Sequence, residues 1–272
     1  MGRCKRAIVG CCAVAGSLVL TASQLCGAES ARELLDQVRQ LNQTTRHWND
    51  RVQRLSLTIV DHRGGTRERT IQVYMKRYPG DASRSVLVFN APPEVRGIGF
   101  LQWIEPHQPD RQWLYLPELK RVRQITGSSK RESFVGTDFS YEDLSIMAEV
   151  TDWTEEDARA TRLADEAVDG QGCAVLELVP TDADVAYGKI RLWLGREDLV
   201  VHKYQFDDRS GGVAKTLLAS DIRVTQNVPT AFRLEMRSER SGSRTIVVFD
   251  QVDYNTGLDD ALFSQRQLER GM

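Results

Sequence analysis

The sequence predicts a mainly β (α+β) fold built around a highly curved antiparallel sheet or incomplete barrel. Three observations carry this. Short segments with an apolar residue at every second position recur along most of the chain, the period of a half-buried strand. Turns rich in Gly, Pro and Asp separate them at short intervals, as in sequential hairpins. Only one long amphipathic helix is evident. Many strands with few helices leave an apolar sheet face that a helix or a ligand must cover.

Residues 1–28 are read apart from the fold. Arg3, Lys5 and Arg6 precede an apolar run from Ala7 to Leu20, and Cys26-Gly27-Ala28 offers small residues for a cut, the pattern of a secretory signal peptide. An uncleaved anchor and a lipid-modified cysteine, at Cys11 or Cys26, are the rival readings of this stretch. The remainder, 29–272, is expected to be a single domain. Cleavage removes Cys4, Cys11, Cys12 and Cys26 and leaves Cys173 alone, so no internal disulfide is expected. In C-A-V-L-E-L, Cys173 reads as a small apolar strand residue, with a reactive thiol as the minority reading. Loss of the three cations takes Lys+Arg from 36 to 33 against 38 Asp+Glu, a net of −5. That balance argues against a nucleic-acid partner, which needs a strongly basic face.

Along the chain, Ser30 to Trp48 reads as the long helix. Ser30 and Glu33 form a capping box, and Leu34, Val38, Leu41 and Trp48 share one face, widened by Leu35. Leu55, Leu57 and Ile59 alternate with polar residues, Gly64-Gly65 turns the chain, and Ile71, Val73 and Met75 alternate again. Apolar runs 86–89 and 97–104 and the strand Trp113 to Leu116 follow, punctuated by Pro92-Pro93, Pro106, Pro109 and Pro117. After a loop-helix, 158–167, 173–179, 190–194, 201–206, 213–219, 232–238 and 245–249 read as strands, about eleven in total.

The most informative stretch is Trp113 to Leu144. Its strand ends at Pro117. Lys120, Arg121, Arg123, Lys130 and Arg131 then occur with no acid among them. S-F-V-G-T-D-F-S-Y-E-D-L follows at 133–144, with Ser140 as N-cap, Asp143 completing a capping box, and Phe139 and Leu144 placed as a hydrophobic staple. The pieces W-L-Y-L-P (113–117), K-R-V-R (120–123), this loop-helix, Y-G-K-I-R-L-W-L (187–194) and D-Y-N-T-G-L-D-D-A-L-F-S (253–264) together resemble the LolA/LolB-like outer-membrane lipoprotein-sorting family, in its longer-chain branch. The resemblance implies an unclosed antiparallel half-barrel. It also implies that the N-terminal helix and the short loop-helix lid an apolar cavity for acyl chains. It implies a periplasmic carrier, secreted across the inner membrane of a Gram-negative-type cell, with an inner-membrane RND-type transporter as a partner. A periplasmic lipid-sensing regulator that holds an anti-sigma factor is the second reading, and a lipid-modifying enzyme with an unfamiliar site the third.

Catalytic signatures are missing from the sequence. There is no G-x-S-x-G elbow and no H-E-x-x-H, and His47, His62, His107 and His202 have no i, i+4 partner. Gly211 to Thr216 lacks the glycine spacing of a phosphate loop and reads as a hairpin turn. The acid pairs Glu142/Asp143 and Glu155/Glu156 suit helix N-terminal turns. A binding protein without cofactor or metal, monomeric, is therefore expected. Its candidate ligand-binding residues are Leu57, Ile59, Val73 and Met75 on the first strands and Phe89, Trp103, Trp113 and Trp193 on later ones. Phe134, Phe139 and Leu144 complete the set in the loop-helix. Each is either core or cavity wall, depending on the phase of its strand. Lys120, Arg121, Arg123, Lys130 and Arg131 are candidates for contact with a head group or an acidic partner, against the plainer reading of a solvated face.

Overall fold

The computed structural model describes residues 29–270 apart from residue 107. The predicted signal peptide, with its four cysteines, lies outside the described residues. Within them, fourteen strands form one antiparallel sheet. Strands β1 (Asp50–Val60) and β2 (Thr66–Arg77) make a hairpin whose turn is tied by Asp61, which accepts from the backbone of Arg63 and Gly65. The meander continues through β3 (Ser83–Ala91), β4 (Gly99–Ile104), β5 (Arg111–Leu116) and β6 (Arg121–Ile125), where it reaches one free edge. A second meander runs through β9 (Gln171–Pro180), β10 (Tyr187–Gly195), β11 (Val201–Asp208), β12 (Val213–Thr225), β13 (Val228–Ser238) and β14 (Arg244–Tyr254). Strand β14 pairs with β1, joining the two halves at the centre. Strand β7 (Ala158–Arg162) forms the opposite edge on β9, and β8 (Glu166–Val168) pairs with β9 as well. The edges do not pair with each other, so the sheet is an unclosed half-barrel.

The strand total exceeds the expected number of about eleven, and two physical reasons contribute. Residues 121–125 carry one buried side chain, Ile125, and no alternation, yet they pair along the whole of Tyr115-Leu116 and its neighbours as β6. The stretch 158–167 is two strands, β7 and β8, both laid against β9. Exposed cations on β6 also suit an edge strand, because charge there discourages edge-to-edge pairing.

Period-two alternation divides the sheet's residues between two faces. Leu55, Leu57, Ile71 and Val73 share the inner core with Leu176, Leu178, Ile190 and Leu192 from the far half. On the outer face, Val86, Val88, Leu101 and Trp113 pack under Phe263 and Leu268 of the C-terminal segment. That segment holds a 3-10 turn (Asp260–Phe263) and α3 (Gln265–Arg270). Its approach needs Gly99, since a Cβ there would lie 2.7 Å from Leu268 Cδ1. Buried Asp50 holds the start of the segment, accepting from the backbone of Thr256, Gly257 and Leu258. Cys173 is fully buried beside Val175 and Trp193, as a small apolar strand residue.

Helix α1 (Ala31–Gln43) begins with the expected Ser30/Glu33 capping box and buries Leu34, Leu35 and Val38 in the inner core. It stops short of Trp48. Thr44 caps it with Oγ1 bonded to the Gln40 carbonyl, the local competition by which Thr ends helices. Trp48 instead packs with Val228, Val252 and Tyr254. Arg32 and Arg39 donate to the carbonyls of Asp152, Trp153 and Ala158, so α1 spans the β7 side of the trough.

Candidate functional site

The site is built by the loop-helix that crosses the open trough. Helix α2 (Tyr141–Glu149) starts at Ser140, whose hydroxyl accepts from the Asp143 backbone while Asp143 accepts from the Ser140 backbone at 2.7 Å. Asp143 is wholly buried and does more than cap. Its carboxylate accepts from Tyr187 of β10 at 2.6 Å and from Lys215 of β12 at 2.5 Å. On the other half of the sheet, Ser145 accepts from Gln102 of β4 at 2.9 Å and from Gln112 of β5 at 2.8 Å, and donates to Asp110 at 2.5 Å. Lys130 closes that group by pairing with Asp110. One short helix is thus fastened by polar bonds to both halves of the trough.

The preceding loop is fixed with equal care. Val135 and Gly136 both adopt positive φ, 49° and 73°. A β-branched residue rarely does so, and the Val135 carbonyl is held by Arg69. This reversal lets the Phe134 backbone bond to the Phe139 carbonyl at 2.7 Å and turns both rings inward. Phe134 packs edge-on against Phe100 at 5.2 Å and Tyr141 at 5.5 Å. Asp138 accepts from Thr245 of β14 at 2.6 Å, tying the loop to the centre of the sheet.

Between the loop-helix and the sheet lies a cavity of about 210 Å³. Its floor is Leu55, Leu57, Ile71, Val73, Leu87 and Phe100, and its far wall Leu234, Val247 and Phe249. Leu144, Met147 and Ala148 form its roof, at the i, i+3, i+4 spacing that puts side chains on one helical face. Arg51 is its one charged lining residue among those described, with Gln53, Ser85, Gln102 and Thr137 as the polar ones.

Of the residues predicted from sequence, Leu57, Val73, Met75, Phe134, Phe139 and Leu144 line this cavity. Ile59 is buried on the same strand but beyond the cavity's end, and Phe89 lies in the core against Phe134 at 5.7 Å. The three tryptophans sit on the other face. Trp103 and Trp113 contact each other at 5.1 Å beneath the C-terminal segment, with Trp103 Nε1 donating to the Phe263 carbonyl. Trp193 packs outside with Cys173 and Val175 and donates to Glu166. The reason is phase: their neighbours Gln102, Gln112 and Leu192 point inward, so the indoles cannot. Other lining residues, among them Arg51, Leu55, Ile71, Ser85, Met147 and Leu234, were not among the predicted candidates. Arg51 had a legible signal, since it shares the inward phase of Leu55 and Leu57.

The basic residues differ in their surroundings. Lys130 is tied to Asp110, Arg123 lies 3.7 Å from Glu132, and Arg131 donates to the Asp184 carbonyl. Lys120, left-handed at φ 46°, and Arg121 are exposed at the β6 edge. Burial raises the pKa of Glu142, and burial with the Asp143 charge raises that of Tyr187. At the end of α2, burial first and Asp110 second push Glu149 up to about 7. No group of His, Cys, Asp and Glu among the described residues is arranged to hold a metal ion.

An unclosed antiparallel trough with its mouth crossed by a tethered loop-helix defines the half-barrel class of lipoprotein-sorting folds. A family model described as "uncharacterized protein" matches residues 81–270, and the chain belongs to that family. Its fold is similar to that of solved lipoprotein-sorting and LolA superfamily proteins. A candidate outer membrane lipoprotein-sorting protein domain from Vibrio parahaemolyticus is 28% identical, with a TM-score of 0.79 over 88% of this chain and 100% of that one. A DUF1329 family protein from Desulfovibrio piger is 26% identical, with a TM-score of 0.80 over 88% and 98%. A LolA superfamily protein from Nitrosomonas europaea, at 18% identity and a TM-score of 0.65 over 88% and 100%, shares the fold. No curated protein matches the sequence.

Proposed function

We propose that the chain is a periplasmic carrier that holds lipid or lipoprotein acyl chains in the cavity under α2 and shuttles them toward the outer membrane. The observation that carries this is an apolar cavity in the mouth of the trough, roofed by the short helix α2. Burial of acyl methylenes supplies affinity at about 0.8 kcal/mol each, without any catalytic group. The cavity volume, about 210 Å³, exceeds the ~150 Å³ of an engineered cavity that takes up one benzene. Outward movement of the loop-helix would enlarge it for a long chain. Similarity to an outer membrane lipoprotein-sorting protein domain supports the same cargo class and compartment.

The test is to express the full chain, isolate the protein from the periplasm, and analyse bound material by native and extraction mass spectrometry. Acyl-bearing species at near-stoichiometric level, reduced in Phe134→Asp protein that remains folded by circular dichroism, are the expected result. A ligand-free protein that also fails to bind a fluorescent fatty-acid probe would overturn the carrier reading.

A further inference from the structure

The inner face carries a polarity gradient along its strands. Arg51, Met75, Ser85, Gln102 and Gln112 are successive register partners across β1 to β5 and form one row. The adjacent row, Gln53, Val73, Leu87, Phe100 and Leu114, is apolar after its first member. The next begins Leu55, Ile71, Phe89. One end of the cavity is thus polar, and about 20 Å of strand separates Arg51 from Leu57 at the apolar end, at about 3.4 Å per residue.

Arg51 is the unusual member of the polar row. Its guanidinium lies over the Trp48 ring at 4.9 Å, and the Arg77 guanidinium lies over the same ring at 4.1 Å. Arg77 has Asp81 and Asp152 in its field and donates to the Asn42 carbonyl. Arg51 has a side-chain hydrogen bond with the neutral Tyr254, no carboxylate among the groups acting on it, and a buried Nε without a hydrogen-bond partner. A guanidinium stays charged in a protein, and a desolvated charge without a counter-ion is costly. The structure therefore holds an uncompensated cation at the end of an apolar cavity.

We infer that Arg51 receives the head group of the cavity's occupant, and that this occupant is a single acyl chain ending in a carboxylate. The inference rests on the carrier reading and adds the chemistry of its cargo. A planar guanidinium matches a carboxylate in two parallel bonds, and one cation balances a monoanion. Ser85 and Gln102, on the same row, supply neutral polar neighbours to the head, while the chain runs under Leu144 and Met147 toward Phe134 and Phe139. The small volume agrees with one chain rather than several.

The test is displacement of a bound fluorescent apolar probe from the purified mature chain at pH 8, below micelle-forming concentrations. Hexadecanoic acid, 1-hexadecanol and hexadecyl phosphate are the competitors. A charge-assisted hydrogen bond contributes about 1.5–3 kcal/mol, so the acid is expected to bind about tenfold or more tighter than the alcohol. Arg51→Met abolishes that ratio, and Arg51→Lys, which keeps the charge but loses the planar fork, retains part of it. Equal binding of acid and alcohol by the native chain, or an unchanged ratio in Arg51→Met, overturns the inference and leaves the carrier reading standing. Tighter binding of the phosphate overturns the carboxylate assignment. If no competitor displaces the probe, the carrier reading and the inference fall together. A thermal melt of each variant separates loss of binding from loss of fold.

Discussion

Asp143→Asn removes one charge from the point where α2 meets the far half of the trough. The native carboxylate is fully buried and accepts three bonds of 2.5–2.7 Å, from Lys215, Tyr187 and the Ser140 backbone. Asparagine keeps the shape and one acceptor but leaves the largely buried Lys215 ammonium without a counter-ion. Breaking a buried pair by removing one partner costs about 3–5 kcal/mol. Lys215→Met leaves the opposite charge buried, so its cost should be similar. The double variant Asp143→Asn/Lys215→Met should recover much of the loss, because replacing both members of a buried pair is often near neutral. Urea unfolding of the four proteins gives the cycle, and hydrogen exchange at α2 amides reports whether the helix detaches first. A single-variant loss below about 1 kcal/mol with unchanged α2 exchange would refute the idea that this pair fastens the roof.

The remaining expectations concern the same roof and its edge. Ser140→Ala removes the N-cap acceptor and should cost about 1 kcal/mol by urea unfolding, with Ser140→Thr close to native. The Glu149 carboxyl, pushed from 4.5 up to about 7 chiefly by burial, binds its proton more tightly folded than unfolded. Its stabilising contribution is thus complete below about 4.5 and is lost as pH rises through about 7; melting curves should show a decline of order 2 kcal/mol between pH 5 and pH 8, flattened in Glu149→Gln. Reversal of Arg121, Arg123 and Arg131 to Glu should leave the fold intact and slow transfer between anionic liposomes at low salt only, since such contacts are screened over about 8 Å at physiological ionic strength; equal rates at low salt would return these residues to plain solvated surface.

What was legible in the sequence follows from how local each signal is. The capping boxes at Ser30/Glu33 and Ser140/Asp143 and the hairpin turn at Gly64-Gly65 involve residues a few positions apart, and the structure contains each of them. The inward residues of β1 and β2 were also legible, because polar Ser56, Thr58 and Gln72 fix the phase. The tryptophans were not. β4 and β5 are covered on both faces, by α2 within and by the C-terminal segment without, so neither phase is marked by exposed polar residues. The large apolar side chains were assigned to the cavity, while the residues that do point inward there, Gln102 and Gln112, are polar because they bond to Ser145 of α2. The same partner explains why Asp143 read only as a capping residue: Tyr187 and Lys215 lie 44 and 72 residues away, and no local pattern encodes that meeting. In this fold the polar residues on the inner face are therefore the informative ones. An apolar strand facing an apolar roof tolerates many sequences, whereas an inward polar residue requires a specific partner, as Gln102 and Gln112 find in Ser145 of α2.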